Sequence, residues 1–267
     1  MQVDSRHPIE AWTDYYTFGG LPHIVSLETD QKKINYLKEL WSTVYFLDIV
    51  ERYKIQGNAE LEELVKVIAS AVGSFTNPNK LANTFKSKKN VSLSNKTIDN
   101  YLGYLCESFL TDKAVRFDIK GKKYINTLAK YYFTDLGMRN SILNFRQQEE
   151  NHIMENAIFN ELKVRGFQVD VGIVERRERD ENGKTVRKQY EVDFVANKGS
   201  QRYYIQSALA IPDSDKERQE SYSLRNIDDS FKKMIVVKDY VRPKRSEDGI
   251  VTINLFDFLL KSEMMDW

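Results

Sequence analysis

One cysteine and three histidines are all that 267 residues offer for redox or soft-metal chemistry. A lone Cys106 rules out an internal disulfide framework and fits a reducing compartment. It falls on an apolar helical pattern, which predicts a buried structural thiol rather than a nucleophile. His7, His23 and His152 are scattered and show no metal-ligand spacing. Long hydrophobic runs are missing too. No stretch approaches a membrane span, and Met1-Gln2-Val3-Asp4 begins no signal-peptide core, so a cytoplasmic protein without membrane contact is expected. An excess of one charge is also absent: 40 basic against 39 acidic residues give a net charge of +1. Only the distribution of charge can then speak about partners. Finally, G-x-x-x-x-G-K-[ST] occurs nowhere, which excludes a P-loop phosphate site in this chain.

What is there suffices for two ordinary domains with a sizeable core, since 41% of the residues are hydrophobic. Residues 1–57 read as helical. Trp12, Tyr15 and Tyr16 precede a break at Gly19-Gly20-Leu21-Pro22. A longer helix is predicted from Asp30, as N-cap, to Tyr53. Its apolar positions Ile34, Leu37, Trp41, Val44, Tyr45, Leu47 and Ile49 recur at helical spacing. So wide an apolar face needs a partner, and the segment itself supplies few.

Residues 58–145 read as three helices and a hairpin. Leu61, Leu64, Val65, Ile68 and Val72 make one amphipathic helix, stopped by Gly73. Asn77-Pro78 starts a second with a cap and a first-turn proline. Ser92 or Ser94 caps a third, whose inner face carries Ile98, Tyr101, Leu102, Leu105 and Phe109. Strand-like runs Ala114–Ile119 and Lys130–Thr134 flank Lys120-Gly121-Lys122-Lys123. That order is the order of a winged helix-turn-helix. From Lys80 to Lys130 there are eleven basic and four acidic residues. Phosphate contacts from lysine gain affinity by counterion release. The expected DNA-contacting residues are Lys86, Lys88, Lys89, Asn95, Lys96, Thr97 and Asn100, with Lys120, Lys122 and Lys123 at the wing. The plainer reading is a solvated basic face on a packing module.

Residues 150–267 alternate helix and strand, an α/β or α+β domain around a mixed sheet. Met154, Ile158, Phe159 and Leu162 form a helix stopped by Gly166. Glu155 lies on or beside its apolar face, where a carboxylate is costly unless paired or liganded. A strand over 167–174 and a charged excursion over 175–188 follow. Gln189–Gln206 reads as a hairpin about Asn197-Lys198-Gly199-Ser200. With an even turn, Glu191 lies opposite Gln206 and Asp193 opposite Tyr204, so that Glu191, Asp193, Gln206 and Ala208 share a face. Carboxylate and carboxamide oxygens there suit Mg²⁺. An ordinary half-exposed sheet face would carry the same residues. A polar helix over 214–226, a strand over 233–237 and a short helix over 255–260 complete the pattern.

Glu155, Asp193 and Gln206 resemble the PD-(D/E)XK nuclease-like fold. Further motifs occur in order: Gly19-Gly20-Leu21-Pro22, Asp48-Ile49-Val50-Glu51-Arg52, Thr97-Ile98-Asp99-Asn100-Tyr101-Leu102, Tyr132-Phe133-Thr134-Asp135-Leu136-Gly137-Met138-Arg139, Glu155-Asn156, Glu191-Val192-Asp193-Phe194 and Tyr204-Ile205-Gln206. Together they resemble the C-terminal region of prokaryotic AAA-type ATPases of poorly defined function. The resemblance implies a winged helix, then a three-layer nuclease-like domain, behind a P-loop ATPase. ATP would enter only through that absent ATPase domain, and residues 1–57 would connect to it. The nuclease-like site implied is Glu155, Glu191, Asp193 and Gln206, with Glu155, Asp193 and Gln206 holding a weak Mg²⁺ if any metal. The usual lysine is Ala208, which cannot activate water or stabilise developing charge. Lys163 or Lys188 could substitute from another element.

Three functions are thus open. The first is a DNA-interacting or assembly region with a degenerate nuclease-like domain, binding double-stranded DNA and an ATPase module or protein partner. The second is a Mg²⁺-dependent endonuclease. The third is a protein-interaction module.

Overall fold

The computed structural model describes residues 8–89, 93–146, 149–179, 181 and 183–266, with the side chains of 88, 89 and 125–127 outside that description. The chain divides into two compact units. The first takes residues 1–113 and 130–157, the second residues 114–129 and 158–267. This division crosses the expected segments 1–57, 58–145 and 150–267, because the hairpin after the third helix contributes to both units. No helix among the described residues is long and apolar enough to cross a membrane.

The first unit opens with α1 (Pro8–Phe18), α2 (Pro22–Ser26) and α3 (Asp30–Glu39). Thr29, not Asp30, caps α3: its hydroxyl accepts from the Lys32 N–H at 3.3 Å, and Asp30 is the first helical residue. The helix then widens into a π-helical stretch, Leu40–Tyr45, before α4 (Phe46–Arg52). The wider turn breaks the 3.6-residue period of the apolar stripe. Leu37 and Ile49 are therefore fully buried, whereas Val44 and Leu47, expected on the same face, are 54% and 46% exposed.

Three helices follow as expected: α5 (Asn58–Ser70), α6 (Pro78–Lys89) and α7 (Asn95–Glu107). The Asn77 side chain caps α6, accepting from the N–H groups of Asn79 and Lys80. Ser94 caps α7 through the Thr97 N–H at 3.0 Å. Each cap satisfies helix-terminal donors that have no intrahelical acceptor. Strands β1 (Thr111–Asp118) and β2 (Lys123–Phe133) come next, then α8 (Leu136–Ile142) and α9 (Glu150–Val164).

Asp135 joins two of the family-like motifs into one junction. Its carboxylate accepts from the Met138 N–H, capping α8, and from the Gly20 N–H, both at 2.8 Å. Burial pushes this carboxyl up, and the N–H groups of Gly20, Met138, Gly137 and Leu21 oppose that shift. Asn140 donates to the carbonyls of Tyr16 and Thr17, the open end of α1. Gly137 has no room for a β-carbon, which would run into the Phe18 carbonyl. Arg139, only 2% exposed, donates to the Ala69 carbonyl at 2.8 Å. Burial lowers its guanidinium to about 10.

The second unit is built on one mixed sheet. Its further elements are β3 (Gln168–Arg179), β4 (Thr185–Lys198), β5 (Gln201–Ala208), α10 (Ser214–Arg225), β6 (Lys232–Val237), β7 (Lys244–Arg245), β8 (Val251–Asn254) and α11 (Leu255–Leu260). The eight strands run β2-β1-β3-β4-β5-β6-β8-β7. The expected wing is thus not free-standing. Its first strand pairs parallel with β3, Arg116 beside Val171, and extends the sheet. The charged excursion is the β3–β4 hairpin, paired out to Arg179 and Thr185. On one face, Val192, Val195, Tyr204, Ala208 and Ile235 pack with Leu224 of α10 and Ile227. Phe194 meets Phe159 of α9, with ring centroids 6.3 Å apart. Helices on both faces of a mixed sheet give the α/β architecture expected.

Candidate functional site

In the first unit, α7 turns Ile98, Tyr101, Leu102 and Leu105 inward. Its capped N-terminus leaves Asn95, Lys96 and Asn100 exposed and Thr97 half-buried. Asn95 also donates to Asn79, tying the start of α7 to α6. Lys86 is exposed on α6, and among the described residues no ion pair engages Lys86 or Lys96. The side chains of Lys88 and Lys89 lie outside the described residues. Lys120, Lys122 and Lys123 are exposed at the β1–β2 turn, which belongs to the second unit. Lys120 there pairs with Asp228 at 3.2 Å.

Glu155 has its partners within the first unit. Its Oε1 accepts from Lys130 Nζ at 2.8 Å and from Tyr132 Oη at 2.6 Å. Glu155 is 7% and Lys130 2% exposed, so both charges are desolvated and compensate each other. Asn156, next in the motif, bonds the Phe133 N–H and carbonyl, both at 2.8 Å. The Glu155-Asn156 pair thereby holds α9 against β2. Gly73, with φ +76°, approaches the same spot; a β-carbon there would lie 2.9 Å from His152 Nδ1 and 3.0 Å from Glu155 Oε2. Sequence reasoning had required a partner for Glu155 but had not found Lys130.

Asp193, Glu191 and Gln206 belong to the second unit, and the expected shared face fails at Asp193. The hairpin forms with a two-residue turn, Lys198 pairing with Gln201 about Gly199 and Ser200. Phe194 pairs with Ile205, however, which moves the register two residues from the expected one. On the other side of β4, Val195 pairs with Asp170 but Val192 with Gly172. The stretch Asp193-Phe194 therefore carries one extra residue opposite Val171, a β-bulge that re-aims its side chains. Asp193 Oδ2 accepts from the Ser207 N–H at 2.8 Å and from Ser207 Oγ at 3.1 Å. Ser207 lies between Gln206 and Ala208, so its side chain points to the other face. Asp193 acts here as a clamp between β4 and β5.

Gln206 faces α10 along with Tyr204 and Ala208. Ala208 is 7% exposed and packs in the core, so apolar contacts occupy the place of the usual lysine. An open cleft of about 680 Å³ lies here, lined by Gln206, Glu191, Tyr190 and Glu178 and by Arg218, Glu220 and Tyr222 of α10. Gln206 Oε1 is buried and has no hydrogen-bond partner among the described residues. Glu178 Oε1 accepts from Tyr190 Oη at 2.6 Å and Tyr222 Oη at 2.8 Å. Lys188, one suggested substitute for the missing lysine, pairs with the other Glu178 oxygen at 3.1 Å. Hydrogen bonds from Tyr190, Tyr222 and Lys188 push the Glu178 carboxyl down to about 2. Glu220 pairs with Lys216 at 2.5 Å. The Tyr190 and Tyr222 rings lie 4.7 Å apart at 58°.

Glu178, Tyr190 and Tyr222 were missed in the sequence, where they read as hairpin and polar helix; the period-two alternation of β4 was the one available signal. Among the described residues no group of three or more His, Cys, Asp or Glu side chains could hold a metal ion. Cys106 sits 3.6 Å from the Thr111 hydroxyl, and burial pushes its thiol up, against nucleophilic use.

The chain has uncharacterized relatives. A protein of Haemophilus influenzae is 31% identical over 261 residues, 97% of this chain and 60% of that one. Uncharacterized protein MJ1544 of Methanocaldococcus jannaschii is 30% identical over 217 residues, 81% of this chain and 46% of that protein. The chain thus spans about half to three-fifths of the length of these curated relatives. Among solved structures, protein VC1899 from Vibrio cholerae aligns with 93% of this chain and 57% of its own, at 17% identity and a TM-score of 0.29. A likeness at that level carries no argument about the fold. Residues 9–149, more than half of the chain and all but the first residue of the α1–α8 region, match the model of a domain of unknown function, DUF8612, and the chain belongs to that family.

Proposed function

We propose that this chain is the DNA-engaging, non-catalytic region of a longer prokaryotic ATPase of the AAA type. The observation that carries the DNA reading is the exposed, capped start of α7, where Asn95, Lys96 and Asn100 face solvent, with Lys86 also exposed on α6. In helix-turn-helix proteins that part of the last helix meets base edges, and flanking lysines meet phosphates.

The non-catalytic reading is supported by the way the nuclease-like residues are used. Asp193 is bonded to Ser207, Glu155 to Lys130, and Ala208 is core. The greater length of the relatives leaves room for an ATPase module. The exposed Val44 and Leu47 are the surface on which such a module, or another protein, would dock.

Fluorescence anisotropy with a labelled duplex tests the DNA reading across a salt series. Binding should weaken steeply with salt, and Lys86→Ala with Lys96→Ala should lower the log–log slope by about 0.9 per lost phosphate contact. Salt-independent or absent binding would leave the protein-interaction reading in its place. Plasmid incubated with Mg²⁺ or Mn²⁺ should stay intact. Cleavage that disappears in Asp193→Ala would establish the endonuclease reading instead.

A further inference from the structure

We propose that the β3–β4 ribbon is a DNA-binding arm, whose arginine face of Arg177, Arg179 and Arg187 meets the phosphates of a duplex. This surface deepens the duplex-binding reading, on which it rests for its partner, and lies wholly within the second unit. From Arg176 to Lys188 the sequence has six basic and three acidic residues. Beyond Val174 and Tyr190, β3 and β4 pair only with each other among the described residues. Five paired positions, Glu175 to Arg179 against Gln189 to Thr185, make a two-stranded ribbon. At strand rise it is about 17 Å long. Residues opposite each other in such a ladder share a face. Glu178 and Tyr190 turn one face towards Tyr222 of α10. The other face carries Arg177, Arg179 and Arg187, all exposed.

The register sets like charges against each other. Arg177 faces Arg187, and Arg176 faces Lys188. Facing like charges weaken a ladder. Glu175 pairs with Arg187 at 3.5 Å and Glu178 with Lys188 at 3.1 Å, which answers one member of each pair. Among the described residues no ion pair engages Arg176, Arg177 or Arg179. The ribbon is weakened by this placement, and a polyanion laid along it would relieve the repulsion. Guanidinium groups match phosphate oxygens two bonds at a time. A two-stranded ribbon also fits the major groove of B-form DNA. A small anion would need a pocket, whereas these arginines stand in a row on an open face. An acidic protein segment offers the same charge without the groove.

Anisotropy of a labelled duplex with the whole chain, over a salt series, decides the matter. Arg177→Thr with Arg179→Thr should lower the log–log salt slope by about 1.8, two phosphate contacts at about 0.9 each. The thermal midpoint should hold or rise, because threonine suits a strand and Arg187 loses its repulsive neighbour. Arg177→Gln alone should lower the slope by about 0.9 and serves if the double variant folds poorly. Arg177→Lys with Arg179→Lys keeps the charge and should keep most of the slope. Lys32→Ala with Lys38→Ala, exposed on α3, removes the same charge elsewhere and should leave the slope unchanged. A wild-type slope in the threonine variant overturns the arm, and so does an equal loss in the α3 variant. Labelled polyglutamate that binds the wild type but not the threonine variant, with duplex affinity equal in both, assigns the arm to an acidic protein and also overturns it. A loss in the threonine variant with none in Lys86→Ala, Lys96→Ala keeps the arm and removes the α7 contact. The reverse result removes the arm and keeps α7, and a wild type that binds no duplex removes both.

Discussion

At the residue scale, the carboxylates that look catalytic in the sequence are mostly bonded to other parts of the fold. Glu155 and Lys130 form a buried pair at 2.8 Å, and removing one partner strands the other charge. Lys130→Met should therefore cost about 3–5 kcal/mol in urea unfolding. The double variant Lys130→Met, Glu155→Gln should be milder than the single one, because it removes both charges. Equal midpoints for Lys130→Met and wild type would show that the pair contributes nothing. Glu178 gives a pH dependence. Its carboxyl lies at about 2 in the fold against an ordinary 4.5, so the unfolded chain takes up the proton first as pH falls. The stabilisation is complete above about 4.5 and is lost on acidification towards about 2. Near-ultraviolet circular dichroism of the tyrosines should follow this loss, and Glu178→Gln should remove the transition. The sequence made clear that Glu155 needed a partner, because its place beside an apolar stripe follows from helical spacing. It could not name Lys130, which arrives from a strand.

At the element scale, the family-like motifs explain themselves as joints. Gly19-Gly20, Asp135, Gly137 and Asn140 together fasten α1 to α8. Gly137→Ala pushes a β-carbon into the Phe18 carbonyl, a backbone atom that cannot swing aside. A loss of about 3 kcal/mol or more is expected, measured as the shift in denaturation midpoint. A midpoint within error of wild type would mean that α1 and α8 can separate freely. Most elements were legible because their signals are local: Asn77 and Ser94 as caps, Gly199 in the hairpin turn, the apolar periods of α5 and α7. Two irregularities were not. The π-helical turn at Leu40–Tyr45 and the bulge at Asp193-Phe194 each place one extra residue in a regular period, and a pattern of apolar residues carries no mark of such an insertion.

At the scale of the whole molecule, the chain builds two units from interleaved stretches. The segment 150–267, read from the sequence as a domain, lacks residues 114–129. Without them β3 loses its parallel neighbour β1 and presents an unpaired edge. A fragment of 150–267 should thus aggregate or elute as oligomers in size-exclusion chromatography, while one beginning at 111 should elute as a single species. A monomeric, cooperatively folding 150–267 fragment would show that the edge needs no cover. The sequence by itself determined the order of helices and strands, the capped start of α7 and the absence of a P-loop, because caps, turns and periods act over a few residues. Only the tertiary structure decided what the acids do. Lys130 reaches Glu155 across 25 residues, and Ser207 reaches Asp193 across 14. Which partner a buried charge finds depends on strands meeting through space, and no local spacing encodes that meeting.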